Sequence, residues 1–186
     1  GQALIDTAEG AHKEIENILQ RMREVGVQAA NDTNNAQDRS NLQAEMNAML
    51  TEIDRIAGTT TWAGASLMAD DTNATVFSFQ VGAATGTQNQ ISVSISGMNG
   101  DALGLSTADV SDLKVKDTVA GDGSGDANAL AAVDDIDDAI KLVNDQRSAL
   151  GAVSNLLNHT VHTLTNISSN LSAAKGGIED ADFALE

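Results

Sequence analysis

Three histidines and one acidic run carry the residue types and spacings that could do chemistry. His159 and His162 stand one helical turn apart, and His12 lies between Glu9 and Glu16. A zinc site needs three or four such side chains converging on one point. In an antiparallel rod whose ends meet, residue i lies near residue 186 minus i, which puts His12 beside Ala174 and far from the other two. No HExxH run is present, so all three read as solvated histidines on helix surfaces. Asp122, Ser124, Asp126 and Asn128 alternate like the start of a calcium loop. The glycine such a loop needs is missing, and Val133 stands where a bidentate glutamate belongs. The stretch reads as a flexible acidic loop tolerant of substitution at Gly121 to Gly125; calcium at Asp122 and Asp126 is the lesser alternative. No nucleophile–base pair or phosphate-binding loop appears, so neither catalysis nor a cofactor is expected.

The chain has 186 residues, a formal charge of -17, and neither cysteine nor proline. That charge argues against binding nucleic acid or an anionic membrane, both of which need basic patches. Disulfides and thiolate metal sites are excluded. No apolar run reaches transmembrane length and no signal peptide is visible. The chain opens inside a helical pattern at Gly1 and closes just after one at Glu186, as if both ends continued.

The elements follow from periodicity. Ile136, Val143, Leu150, Leu157, Leu164, Leu171 and Ile178 place an aliphatic at every seventh position. A strict seven-residue repeat keeps one stripe of a helix facing a partner helix. The companion seam, Ala139, Gln146, Val153, Thr160, Ile167, Ala174 and Ala181, is weaker. One helix of about 55 residues, about 80 Å long, is expected over 127–181. Leu4, Ala8, Ala11, Ile15, Ile18, Met22, Val25 and Ala29 predict a first helix over 3–30. Leu42, Met46, Met49, Ile53 and Ile56 predict a second over 36–57, with Gly58 as its C-terminal cap. The period then changes to two. Val76 to Val81 and Gln90 to Ile95 read as a strand pair with one buried face. The expected fold is mainly α: an elongated, antiparallel, coiled-coil-like bundle of three main helices with a small β lobe. Its expected divisions are a helical part at 1–58, a β/loop lobe at 59–126 and the long helix at 127–186.

Several stretches resemble bacterial flagellin. Thr7 to Ala11, Gln20 to Gln28, Asn31 to Asn34 and Glu52 to Ile56 are similar to its N-terminal half. Gln146 to Val153, Asn166 to Ser168, Asn170 to Ala174 and Asp180 to Ala184 are similar to its C-terminal half. Val25 and Gly26 depart from the leucine and alanine usual in the family, and Gly176 and Gly177 from a serine–arginine pair. The family's terminal helices and large variable domains are missing from the resemblance.

The resemblance implies a structural subunit of the extracellular flagellar filament, with other flagellin subunits as partners and an export chaperone for the full-length protein. It also implies a ligand of Toll-like receptor 5, with Gln20, Arg21, Glu24, Val25, Gln28 and Glu45 as the residues matching that epitope. Geometry adds to this. With a turn near Asn34, residues of the first two helices at one height sum to about 67, so Arg21 and Glu45 should sit level. Without the terminal helices the chain is expected to stay monomeric and not to form filaments. A cell-surface homologue that binds a polysaccharide is the alternative function.

Overall fold

A computed structural model describes residues 1–70, 72–81, 90–105, 114–119 and 121–185, with backbone alone for 176–185. Its order is α1 (Gln2–Ala29), α2 (Ala36–Thr59), β1 (Thr61–Trp62), β2 (Ala65–Ser66), β3 (Thr75–Gln80), β4 (Gln90–Ile95) and α3 (Gly125–Leu185).

Helix α1 lies against both α2 and α3. A helix flanked on two sides needs a wider apolar arc than a single seam. Leu19 and Ile5 therefore join the buried set, while Ile18 is only half-buried. In α2, likewise, Leu50 is buried and Met49 half-buried. A capping box starts α2. The Asp38 amide donates to Asn35 Oδ1 at 2.8 Å, and the Asn35 amide donates to Asp38 Oδ2 at 3.0 Å. Together these bonds satisfy otherwise orphaned donors of the first turn. Gly58 is not the cap expected from the sequence. The helix runs through it to Thr59, and the extended Thr60 closes the last turn by donating to the Ile56 carbonyl.

Strands β1 and β2 form a hairpin the hydrophobic pattern does not reveal. Ala63 and Gly64 at its tip both have positive φ, 51° and 83°, the signature of a type I′ turn. The expected strand pair is present as β3 and β4, antiparallel, with Phe77 opposite Val93 and Phe79 opposite Ile91. Ile91, Val93 and Ile95 are its buried face, packed toward α3.

Helix α3 has 61 residues, about 90 Å at 1.5 Å each. Its register against α1 differs from that of a rod with meeting ends. Ser154 donates to Gln2 at 2.8 Å, Arg147 to Glu9 at 2.7 Å and Arg23 to Asp137 at 2.7 Å. These partner numbers add to between 156 and 160, not 186. Leu157 consequently faces Gly1, and α3 runs on beyond it. The repeat is covered where α1 lies: Ile136, Val143, Leu150 and Leu157 are buried. Leu164 and Leu171 are 45% and 66% exposed. The expectation of a stripe covered along its whole length fails there. The repeat records what α3 can pack against, and among the described residues α1 covers it up to Leu157. Ile178 and Ala181 lie outside the described side chains.

The glycines separate two situations. A Cβ on Gly26 would stand 2.7 Å from Val133 Cγ2, so α1 and α3 touch there. A Cβ on Gly10 or Gly151 would meet nothing within 4 Å. Gly10→Ala and Gly151→Ala should each stabilise the fold by about 0.5–1 kcal/mol through helix propensity. Gly26→Ala should destabilise it, since valine in a helix has no alternative rotamer to yield with. Adding Val133→Ala to Gly26→Ala should recover part of the loss. Urea melts of the four variants check the order; a stabilised Gly26→Ala would contradict the close contact. The 121–125 loop is also less permissive than the sequence suggests. Gly121 and Gly123 have φ of 84° and 77°, and a Cβ on Gly125 would meet Arg39 and Asp117 at 3.0 Å.

Candidate functional site

The residues singled out on α1 and α2 come together. Gln20, Arg21, Glu24, Gln28 and Glu45 are all exposed. Arg21, Gln28 and Glu45 line one shallow depression with Asn34 and Asp38. The level placement of Arg21 and Glu45 follows from the tight connection at Asn31 to Asn35. There the Asn34 side-chain amide donates to the Gln28 and Asn31 carbonyls at 2.6 and 2.8 Å, and the Asn31 side chain accepts from the Thr33 amide at 3.0 Å. Arg21 pairs with Glu24 at 3.1 Å rather than with Glu45. Both partners are more than half exposed, so the pair contributes at most about 1 kcal/mol. Val25 is the exception in the set. It is fully buried and can influence a partner only through how α1 packs.

Beneath this face, α1 and α3 are joined by charge. Arg147 donates through Nε to Glu9 at 2.7 Å and through Nη1 to Glu16. Glu9 and Glu16 are seven apart, so they rise from one face of α1 and straddle the guanidinium. The hydrogen bonds that Arg147 donates to these carboxylates, Glu9 first, hold its pKa above its ordinary value. His12 lies on the same face of α1. Contrary to the solvated reading, it is fully buried, and both ring nitrogens lack a hydrogen-bond partner. Burial pushes its pKa down to about 4, partly opposed by Glu9 and reinforced by Arg147. The other two histidines, His159 and His162, are exposed on α3, as expected.

Gln146 was visible in the sequence as a polar residue in an apolar seam. Its amide donates to the Ser94 carbonyl at 3.1 Å, and its Oε1 accepts from the Ser96 amide at 3.0 Å. The side chain thus takes two backbone groups at the end of β4 and fixes the hairpin to α3. Arg39 was not singled out. It donates to the Ala29 and Asn31 carbonyls, both at 3.3 Å, and pairs with Asp126 in the first turn of α3. One guanidinium therefore ties the end of α1, the start of α2 and the start of α3. Arginine can do this because its planar fork offers five donors in fixed directions.

The two carboxylates of the calcium alternative have partners of their own. Asp126 pairs with Arg39, and Asp122 accepts from the Val119 and Ser124 amides and the Ser124 hydroxyl. Those bonds, the Ser124 hydroxyl first, hold Asp122 below the usual carboxylate range. Among the described residues, no group of three or more His, Cys, Asp or Glu side chains converges as a metal site would require. No helix among the described residues is long and apolar enough to cross a membrane.

Comparison with known proteins fits this geometry. Residues 1–73 match the family model for the bacterial flagellin N-terminal helical region, and residues 133–186 match that for the bacterial flagellin C-terminal helical region. A flagellin of Halalkalibacterium halodurans is 40% identical over 186 residues, covering 100% of this chain and 63% of the relative. A flagellin of Bacillus subtilis is 40% identical over 207 residues, covering 100% of this chain and 67% of the relative. The chain therefore spans about two thirds of the length of these relatives. The crystal structure of Bacillus cereus flagellin superposes with a TM-score of 0.65 at 30% identity, over 92% of this chain and 90% of that one.

Proposed function

The chain belongs to the bacterial flagellin family, and from that membership we propose that it forms the core rod of a subunit of the extracellular flagellar filament. Its partners there are other flagellin subunits, and an export chaperone serves the full-length protein before assembly. The task is mechanical: the rod holds its shape while its outer faces pack on neighbours. The supporting observation is that the two stretches matching the flagellin helical-region models are carried on helices α1, α2 and α3, with α1 packed against both of the others as one rod. The deciding experiment is mass spectrometry of sheared, purified filaments from cells that express the full-length gene product. Its presence as a filament component is expected. Its recovery from the cell envelope alone would overturn the reading and favour a cell-surface homologue that binds a polysaccharide.

A second role follows from the α1–α2 face, where we infer binding to Toll-like receptor 5 through Gln20, Arg21, Glu24, Gln28 and Glu45. The support is the exposure of these five and the shared depression of Arg21, Gln28 and Glu45. An arginine near the centre of an interface often contributes much of the binding energy. Arg21→Ala and Glu45→Ala should each weaken binding to the receptor ectodomain by more than about 1 kcal/mol, with unchanged circular dichroism. The buried Val25, smaller than the family's leucine, should make the unmutated chain a weaker ligand than flagellins that carry leucine there. Surface binding with the purified chain is the measurement, and no binding by the unmutated chain would remove this role.

A further inference from the structure

We propose that Asn99–Gly100 is a latent deamidation site held shut by the fold, and that its conversion to aspartate or isoaspartate is a one-way release of the 98–105 loop from α2. The chain contains a single Asn–Gly pair. Asparagine loses its side-chain amide most readily before glycine, which has no Cβ to hinder the closing ring. The Gly100 backbone nitrogen, its proton taken by hydroxide, attacks Asn99 Cγ and forms a succinimide ring. The Cγ–Nδ2 bond breaks, and ammonia leaves with a proton from water. A second water then opens one of the two ring carbonyls, giving aspartate or isoaspartate. Water is the co-reactant consumed and ammonia the product released.

The reacting groups are all engaged in the structure. The Gly100 amide donates to Asp54 Oδ1 on α2 at 2.7 Å. Asn99 Oδ1 accepts from the Ala102 amide at 2.8 Å, and Asn99 Nδ2 donates to the Ala69 carbonyl at 3.2 Å. The main chain around the pair is fixed as well. The Met98 amide donates to the Met68 carbonyl at 3.0 Å, Leu103 to the Asn99 carbonyl at 3.0 Å and Leu105 to the Gly100 carbonyl at 2.8 Å. The bond at Oδ1 makes Cγ more electrophilic, but it does not decide the rate. Ring closure needs the Gly100 nitrogen without its proton and the Asn99 side chain free to turn toward it. The Asp54 carboxylate keeps the proton in place, and the ties to Ala102 and Ala69 hold the side chain. Gly100 is also buried and Asn99 half-buried. The reaction therefore waits for a local opening of the loop.

The product cannot be fastened again. Aspartate at position 99 can still accept from Ala102, but its other oxygen meets the Ala69 carbonyl where a donor stood. Asn99 shares a shallow depression with Asp54 and Asp101, so the new carboxylate stands beside two others and is repelled. Isoaspartate adds a methylene to the main chain and carries the Gly100 amide away from Asp54. The buried side chains of Met98, Leu103 and Leu105 then lose the ties that hold their loop to α2 and to Ala69. Because the chemistry does not reverse, each molecule is switched once.

Peptide mass mapping of the whole chain, kept folded in mildly alkaline buffer, tests the proposal. Asn99 should stay intact there and deamidate readily when the same chain is held in urea. A hydrogen bond to a charged acceptor suppresses local opening by a factor of about ten or more, so Asp54→Ala should speed deamidation of the folded chain about tenfold. Asp54→Asn keeps an acceptor oxygen in place and should restore most of the protection. Hydrogen exchange reads the product. Asn99→Asp should raise exchange at the Met98, Leu103 and Leu105 amides while those of α1 stay protected. Equal rates in the folded and urea-held chains, or an Asp54→Ala chain as slow as the native one, would overturn the proposal. So would unchanged exchange in Asn99→Asp. An Asp54→Ala chain that deamidates faster only because it has lost its helical circular dichroism would overturn the reading of Asp54 as a local tie.

Discussion

Leu150→Asp should unfold the rod, while Leu171→Asp, the same change at the same heptad position, should leave its stability within about 0.5 kcal/mol. Leu150 is 1% exposed and lies on the α3 seam that packs against α1, whereas Leu171 is 66% exposed. At position 150 the substitution removes a buried aliphatic side chain, at a cost of about 2–5 kcal/mol. It also buries a carboxyl that must stay charged without a partner or be protonated, at a further cost of several kcal/mol. The nearby cation offers no relief, because Arg147 is already engaged by Glu9 and Glu16. A domain of this kind has about 5–15 kcal/mol of stability in total, so the combined loss is of the order of the whole. Thermal melts followed by circular dichroism, at concentrations that keep the chain monomeric, make the comparison. Equal losses in both variants would show that the long helix is covered along its full length and that the boundary at Leu157 is misplaced.

Acid should weaken the rod before carboxylate titration dominates, and His12 should be the cause. Its pKa is lowered from 6.5 to about 4 by burial. In the unfolded chain His12 takes up a proton as pH falls through 6.5, while in the folded chain it stays neutral until about pH 4. Between those values the unfolded state binds more protons, so stability is full above pH 6.5 and falls as pH drops toward 4. At 1.36 kcal/mol per unit the loss comes to about 3 kcal/mol, complete near pH 4. Glu9 on the same helix moderates the shift and Arg147 from α3 strengthens it. His12→Leu should remove most of this dependence and be at least as stable at neutral pH, because it replaces two unpartnered ring nitrogens with apolar surface. Urea melts across that pH range, on the native chain and on the leucine variant, measure both curves. Parallel curves would assign the acid sensitivity to other groups.

Much of this protein was legible because its helices obey simple periods. The spacing of Leu4, Ala8, Ala11 and Ile15, and the heptads from Ile136 to Leu157, located α1 and α3 through the apolar stripe each must bury. The alternation in Gln90 to Ile95 located β4 for the same reason at a period of two. Asn31 to Asn35 marked the turn, and with it the level placement of Arg21 and Glu45 along a shared depression. Periodicity names the face of a helix that seeks a partner. It does not give the length of the partner or the offset between them. Tertiary structure alone set the α1–α3 register, through the pairs Glu9–Arg147 and Arg23–Asp137. That offset moved His12 from an expected place beside Ala174 to a buried one against Arg147, and it left Leu164 and Leu171 bare. A stripe repeated every seven residues packs about equally well when slid by seven. The choice among such offsets therefore fell to charges and small residues at single positions: Arg147 between two glutamates, Gly26 against Val133, and Arg39 closing the far end.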